Sequence, residues 1–283
     1  MQEFVCDISN YSRGLDSDFI IIPQNGAELC FNYLDPNDGV NTEYFSCIDG
    51  VGIEELFYDE TYAPDEERLG MLRKIGSGIP VLVSDYVTNN NNIAQSQELN
   101  AEEGFLSFPR ANDNHEYSHI PSEIQNENDL DIESLDDAQN YLYLISSDLF
   151  TSKTAMINAI NETNYDLIII DLFFDEVAFT TSEITSLKTK ANGASRLVIS
   201  YINVGAAENW RYYWEDNWRV HRPGWLKKKY DGYDDEIWVK FWKQEWRDII
   251  YSNDNSYMKK IVQAGFDGAY LDNVEGYYFL YFD

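Results

Sequence analysis

The sequence predicts one α/β domain, a single (β/α)8 TIM barrel that occupies residues 1–283. A chain of 283 residues has the usual length of one such barrel. Eight short apolar runs, each bounded by turn residues, have the composition of parallel strands that are buried on both faces. The eight predicted strands are residues 19–24, 50–57, 80–86, 104–109, 140–145, 166–172, 196–203 and 268–274.

Helical patterns separate most of these strands, as a parallel barrel requires. Residues 3–13 predict a further helix, packed outside the barrel before the first strand, because Phe4, Val5 and Ile8 recur at helical spacing. An open doubly wound sheet is the alternative, but the sequence lacks the glycine-rich phosphate-binding motifs typical of that fold. The helical patterns between strands include residues 65–75, 152–161, 182–190 and 248–264.

The chain is strongly acidic, with 50 Asp and Glu residues against 20 Lys and Arg and a formal net charge of −30. A surface of this charge repels nucleic acid and anionic membranes and attracts a cationic substrate, although acidity also serves solubility alone. No run reaches 18 consecutive apolar residues, so no membrane span is predicted. The first ten residues lack the basic and apolar regions of a secretory signal.

The cysteine and histidine residues predict neither a covalent framework nor a metal site. Cys6, Cys30 and Cys47 are odd in number and widely spaced, which predicts neither a set of disulfides nor a zinc site. His115 and His119 lie four residues apart in an irregular acidic segment, without the flanking glutamate of a metalloprotease helix. We therefore expect no metal and no cofactor.

Polar side chains end several of the predicted strands, where a barrel has its active face. Acids from several strands would converge there and raise one another's pKa, which favours holding a proton ready as a general acid. Paired carboxylates without a catalytic His, Cys or metal motif indicate glycoside hydrolysis, whereas a single strand-end acid often only caps a helix. The residues at or after strand ends include Asn25, Glu54, Asp85, Asp171, Tyr201, Glu208, Asp272, Asn273 and Glu275.

All seven tryptophans lie between Trp210 and Trp246, in a segment that follows the seventh predicted strand. We interpret this segment as a Trp-rich insertion on the active face. Large rings stack on sugar faces, and Trp214 is a candidate for such a contact. The alternative interpretation is a local aromatic core that holds a long loop in place.

Several long motifs resemble the endo-α-1,4-polygalactosaminidase family, glycoside hydrolase family 114. They are YDLIIIDLFF at 165–174, RLVISYINVGAAENWRYYW at 196–214 and GFDGAYLDNVEGYYF at 265–279, together with FIIIPQNGAEL at 19–29 and DGVGIEELFY at 49–58. Two positions depart from the family pattern: Ala206 stands where the family commonly has Glu, and Glu275 stands at the second acid of the family's LDxVD motif. The order of the motifs also differs from the family, because the two N-terminal motifs are expected to follow the 265–279 motif. We interpret this order as a circular permutation.

The resemblance implies that Asp272 is the nucleophile or base and Glu54 the acid/base, with exchanged roles as the alternative. It also implies sugar contacts for Asp171, Tyr201, Glu208, Arg211 and Asn25. The implied substrate is a galactosamine-rich polysaccharide, which is cationic when partly deacetylated, and the family suggests a secreted or cell-surface protein. We expect a monomer without a nucleic-acid partner. Two alternatives stay open: a non-catalytic glycan-binding barrel, and a glycosidase that acts on a neutral glycan.

Overall fold

A computed structural model describes residues 1–111 and 117–281 of the chain. The strands are β1 (Ile20–Pro23), β2 (Val51–Tyr62), β3 (Val81–Val87), β4 (Leu106–Ser107), β5 (Tyr141–Leu144), β6 (Leu167–Asp171), β7 (Phe173–Phe174), β8 (Val177–Ala178), β9 (Leu197–Asn203), β10 (Ala206–Glu208), β11 (Leu226–Tyr230), β12 (Tyr233–Val239) and β13 (Gly268–Asp272). The α-helices are α1 (Gln2–Arg13), α2 (Thr42–Phe45), α3 (Glu66–Ile75), α4 (Ile93–Glu102), α5 (Lys153–Asn161), α6 (Thr181–Leu187), α7 (Gln244–Ile250), α8 (Tyr257–Ala264) and α9 (Gly276–Tyr281). Four short 3-10 helices cover Ala27–Cys30, Asn32–Leu34, Asn90–Asn92 and Leu135–Asp137.

Two parallel sheets form the centre of the fold. The larger has the order β1-β13-β9-β6-β5, and the smaller has the order β2-β3-β4. The first strand pairs in parallel with the last, from Ile20 opposite Gly268 to Pro23 opposite Leu271, as a barrel in circularly permuted order requires. The amide of Asn25 donates to the carbonyl of Gly52 (2.8 Å), and this contact links β1 to β2.

The eight predicted strands therefore follow one another as β5-β6-β9-β13-β1-β2-β3-β4. No ladder joins β4 to β5 in the described part of the chain. The rings of Phe108 and Tyr141 pack 5.6 Å apart across that gap. The structure thus establishes a mixed α/β fold with a parallel central sheet, and the described residues show no strand pairing at the junction of β4 and β5.

Helices cover the sheets on the outside. The predicted N-terminal helix is confirmed as α1, and its Phe4, Val5 and Ile8 are buried. The predicted single helix over 248–264 is wrong, because α7 ends at Ile250 and α8 begins at Tyr257. The intervening segment 251–256 contains Ser and Asn side chains that hydrogen-bond local backbone groups, which competes with a continuous helix.

The expectation of no disulfide is also wrong. Cys6 in α1 and Cys47 before β2 form a disulfide across a sequence separation of 41 residues, with their Cα atoms 5.1 Å apart. Spacing along the chain cannot reveal this pair, because the packing of α1 against the following segment brings the two residues together. Cys30 is a free, buried cysteine, and burial raises the pKa of its thiol to about 12.

The Trp-rich insertion is a small antiparallel sheet with the order β10-β12-β11. Much of its aromatic content is a local core. Trp246 is fully buried, and Trp225 packs against it at 5.2 Å. Trp214 is half-buried and meets Trp218 edge to face at 5.4 Å. In the described residues no helix has both the length and the apolar character needed to cross a membrane.

Candidate active site

A cavity of about 250 Å³ opens where the parallel strands end, between these strands and the insertion. Seven acidic side chains and one basic side chain are among its described lining residues. Most of the predicted site residues meet here. The lining residues are Gln24, Glu54, Tyr117, Tyr143, Ile145, Asp171, Tyr201, Glu208, Trp210, Arg211, Tyr230, Tyr233, Asp235, Glu236, Asp272, Asn273 and Glu275.

Asp272 ends β13 and is held by two donors. The hydroxyl of Tyr201 donates to its Oδ2 at 2.6 Å, and the amide of Asn273 donates to its Oδ1 at 2.7 Å. Burial, followed by the nearby charge of Glu54, raises the pKa of Asp272 to about 7, against the effect of these two donors. A carboxyl group with this pKa can give or take a proton near neutral pH.

Glu54 lies where β2 departs from regular pairing with β3, since the register shifts between Glu54 and Asp59. Arg68 stabilises the irregular segment by donating to the carbonyls of Glu54 and Glu55, each at 2.8 Å. Asp85 accepts from the amides of Phe57 (2.9 Å) and Tyr58 (3.3 Å) in the same segment. A bulge of this kind re-aims a side chain, and here Glu54 points into the cavity.

Two hydrogen-bond donors and one positive charge among the described residues face the Glu54 carboxyl group. The hydroxyl of Tyr117 donates to its Oε1, the Asn25 amide nitrogen lies 3.3 Å from its Oε2, and a guanidinium nitrogen of Arg110 lies 3.9 Å from its Oε1. Asn25 Nδ2 also lies 3.4 Å from Glu275 Oε1. Asn25 thus connects two of the acids without itself lining the cavity.

Left-handed backbone recurs beside these groups. Asn25, Glu55 and Asn273 have φ values of 64°, 56° and 61°. Such values are uncommon for residues other than glycine and cost energy, so their concentration at three neighbouring strands marks a candidate functional site. The backbone of Asn273 also packs closely against Gly205. A Cβ atom at position 205 would lie 2.0 Å from the carbonyl oxygen of Asn273, so a larger residue does not fit there.

Arg211 is the single basic residue among the described lining residues, and it is shared by two acids. Its guanidinium contacts Asp171 at 2.7 Å and Glu208 at 2.7 Å, and all three side chains are buried. It also lies 3.8 Å from the ring centre of Trp210, which is about half exposed (47%). Burial raises the pKa of Glu208, and the charge of Arg211 opposes that rise.

The negative charges of Glu275 and Glu236 are less well compensated than that of Glu208, which pairs with Arg211. Glu275 Oε2 is buried and has no hydrogen-bond partner among the described residues, and burial, followed by the charge of Asp272, raises the pKa of Glu275 well above its usual range. Glu236 accepts from Asn203 Nδ2 at 2.9 Å, and burial, followed by the charge of Glu208, raises its pKa to about 9. The sequence alone does not reveal Glu236, because this residue lies within β12 and belongs to no recognised motif.

Besides Asn25, two predicted site residues, Asp85 and Trp214, lie outside the cavity lining. Asp85 is fully buried and accepts from Ser96 (2.7 Å) and Asn100 (3.1 Å) as well as from the backbone of β2, so its oxygens are engaged in supporting the fold. Trp214 packs in the aromatic core of the insertion. His115 falls outside the described residues, and no cluster of three or more His, Cys, Asp or Glu side chains in the described chain is arranged to hold a metal ion.

Several carboxyl groups that line one cavity at the ends of parallel strands are typical of glycoside hydrolases. The chain belongs to glycoside hydrolase family GH114, whose sequence profile matches residues 136–280, about half of the chain. The matched part contains Asp272, Asp171 and the whole insertion, whereas Glu54 lies before it.

Three relatives share part of the sequence. An uncharacterized protein of Methanocaldococcus jannaschii is 36% identical over 126 residues, which cover 44% of this chain and 34% of the relative. An uncharacterized protein of Thermotoga maritima is 33% identical over 79 residues, or 28% of this chain and 23% of the relative. An uncharacterized protein of Deinococcus radiodurans is 28% identical over 122 residues, which cover 43% of this chain and 37% of the relative. The chain therefore spans well under half of the length of these relatives.

Proposed function

We propose that this glycoside hydrolase cleaves a galactosamine-containing polysaccharide with Asp272 and Glu54 as its carboxylate pair. The observation that carries the proposal is that both side chains line one cavity and that Glu54 contributes to raising the pKa of Asp272. Glycoside hydrolysis needs one carboxyl group to protonate the leaving oxygen and a second to attack or to activate water.

The surroundings of the two acids favour the exchanged assignment of roles. Hydrogen bonds from Tyr117 and Asn25 and the positive charge of Arg110 at 3.9 Å suit a carboxylate at Glu54, which would act as nucleophile or base. A pKa of about 7 suits Asp272 as the acid that protonates the glycosidic oxygen and later recovers a proton from water. Tyr201 and Asn273 hold the Asp272 carboxyl in place for that transfer.

The excess of acids in the cavity supports a cationic substrate. Five carboxyl groups against one guanidinium remain even when Glu236 and Glu275, whose pKa values are raised, are counted as protonated, and such an excess of acids concentrates a polymer that carries ammonium groups. We further propose that the eight strands close into a barrel between β4 and β5, and that the motif order is a circular permutation. The disulfide supports an oxidising compartment, as expected for a secreted or cell-surface enzyme.

The direct test is incubation with partly deacetylated polygalactosamine, followed by sizing of the products. We expect short oligosaccharides from the wild type and none from Asp272→Asn. Cleavage of the fully N-acetylated polymer at the same rate, without any effect of salt, would favour the neutral-glycan alternative, because screening weakens only the capture of a polycation. Binding without any cleavage would favour the non-catalytic alternative.

An activated substrate separates the two roles. On a galactosaminide with a good leaving group, protonation of the leaving oxygen matters less. Asp272→Asn should therefore retain much of the wild-type rate of bond cleavage there, whereas Glu54→Gln should not. The opposite pattern would assign the acid to Glu54.

A further inference from the structure

Glu236 lies opposite Glu208 in the insertion. In the antiparallel pair of β10 and β12, these two residues are direct partners in the register, so their side chains share one face. Both line the cavity. Like charges directly opposite each other destabilise a sheet, and Glu208 is compensated by Arg211 at 2.7 Å. Glu236 has no such ion pair in the described residues.

A side chain from the neighbouring parallel sheet, Asn203, fixes the orientation of the Glu236 carboxyl group. Asn203 ends β9 directly opposite Asp272 in β13. Its Oδ1 accepts from the amide of Ala206 (2.8 Å), so its Nδ2 must be the atom that donates to Glu236 Oε2 at 2.9 Å. With Oε2 used as an acceptor, the second oxygen, Oε1, is the position where a proton on Glu236 would lie.

The charges that face Glu236 favour its protonated form. They come from Glu208 on β10, Asp272 on β13 and Asp235 on its own strand, and they add to the effect of burial, while Asn203 opposes them. The phenols of Tyr201, Tyr213, Tyr230 and Tyr233 also face it and are neutral over the same pH range. The pKa of about 9 keeps Glu236 uncharged near neutral pH.

We propose that Glu236 is a positioning residue whose neutral carboxyl group donates a hydrogen bond from Oε1 to an oxygen acceptor of the bound glycan. This inference rests on the proposed function, since it needs a sugar in the cavity. Ionised carboxylates only accept hydrogen bonds, so Glu236 supplies a donor in a cavity that is otherwise rich in acceptors. The same residue removes one negative charge from the crowded group around Asp272.

Glu236→Gln tests the inference, because the amide keeps the acceptor for Asn203 and a donor for the sugar but cannot ionise. The KM of the wild type should rise as the pH passes through about 9, whereas the KM of Glu236→Gln should stay constant there and its kcat should remain near that of the wild type. Glu236→Ala should raise KM roughly ten-fold, as expected for the loss of one hydrogen bond. Asp234→Asn, an exposed acid on the same strand that does not line the cavity, is the matched control.

Difference infrared spectroscopy gives a readout that does not depend on hydrolysis. The carbonyl band of a protonated carboxyl group should be present near neutral pH in the wild type and in Asp234→Asn, and reduced in Glu236→Gln. An alkaline rise of KM that persists in Glu236→Gln, or an unchanged KM in Glu236→Ala, would overturn the positioning role. So would a hundred-fold loss of kcat in Glu236→Gln, which would make Glu236 a proton-transfer group. An absence of hydrolysis by the wild type, with the infrared difference still present, would contradict the proposed function and leave the protonated state of Glu236 established.

Discussion

The two ends of strand β6 carry buried acids in opposite surroundings. At its start, Asp166 pairs with Lys190 at 2.5 Å, and both side chains are fully buried. Asp166 also accepts from Asn128 at 2.9 Å and from the amide of Gln139 at 2.8 Å. At its end, Asp171 shares Arg211 with Glu208 and faces five further acids across the cavity.

This difference distinguishes carboxylates that support the fold from carboxylates that we propose for the chemistry. At the start of β6 one acid meets one base and its remaining acceptors are used, so the charge is balanced. At its end the acids outnumber the bases, and the pKa values of Asp272, Glu236 and Glu275 rise. Uncompensated buried charge lowers stability, and its concentration in one cavity is typical of an active site.

The largest expected effect is the loss of activity in Glu54→Gln. We expect a decrease in kcat of about 10⁴-fold, the upper end of what a positioned acid or base contributes. The amide removes the charge but keeps the size, so the protein should fold, and circular dichroism and the unfolding midpoint check this. Glu60→Gln, at an exposed position further along β2, is the control that should keep full activity. Full activity in Glu54→Gln would remove this residue from the mechanism.

Asp166→Asn should lower stability without changing the chemistry. Lys190 would stay buried without its counter-charge, which costs about 3–5 kcal/mol in the free energy of unfolding. Chemical denaturation measures this loss, and kcat at a temperature where the variant is folded should match the wild type. Asp254→Asn, which breaks an exposed pair with Lys259, should leave the unfolding midpoint unchanged. A midpoint for Asp166→Asn equal to that of the wild type would contradict the structural role.

The Cys6–Cys47 disulfide should contribute to stability independently of the site. For a separation of 41 residues the loop-entropy relation predicts about 4 kcal/mol. The double variant Cys6→Ser/Cys47→Ser should unfold at a lower temperature than the wild type and keep its kcat. A reducing agent should lower the wild-type midpoint and leave that of the double variant in place. An equal effect on both proteins would show that the cysteines are not paired.

The smallest effect concerns the pH dependence of stability. The pKa of Asp272 rises from an ordinary 3.8 to about 7 on folding, so the folded state keeps a proton that the unfolded state releases. Stability therefore falls as the pH rises from about 4 to about 7. Asp272→Asn should remove this contribution, which we set at about 1–2 kcal/mol after solvent screening. The midpoint of Asp272→Asn minus that of the wild type should be larger at pH 8 than at pH 4. A constant difference across this range would contradict the raised pKa.

Sequence patterns were sufficient for the strands and for part of the site. All eight predicted strands occur, since runs such as LIIID of β6 are apolar on both faces. Motifs led to Asp272 and Glu54, but Glu236 depends on a register with Glu208 that only the folded sheet defines. The Cys6–Cys47 pair likewise depends on tertiary packing. Aromatic residues were ambiguous, because Trp210 at the cavity and Trp246 in the core belong to the same segment.

Activity and unfolding measured together on Asp272→Asn and Asp166→Asn decide whether the acids at the two ends of the strands have different roles. We expect that Asp272→Asn fails to shorten partly deacetylated polygalactosamine while unfolding at or above the wild-type midpoint at pH 8. Asp166→Asn should cleave the polymer at the wild-type rate and unfold earlier. Cleavage at the wild-type rate by Asp272→Asn, or a parallel loss of activity and stability in both variants, would contradict this difference in role.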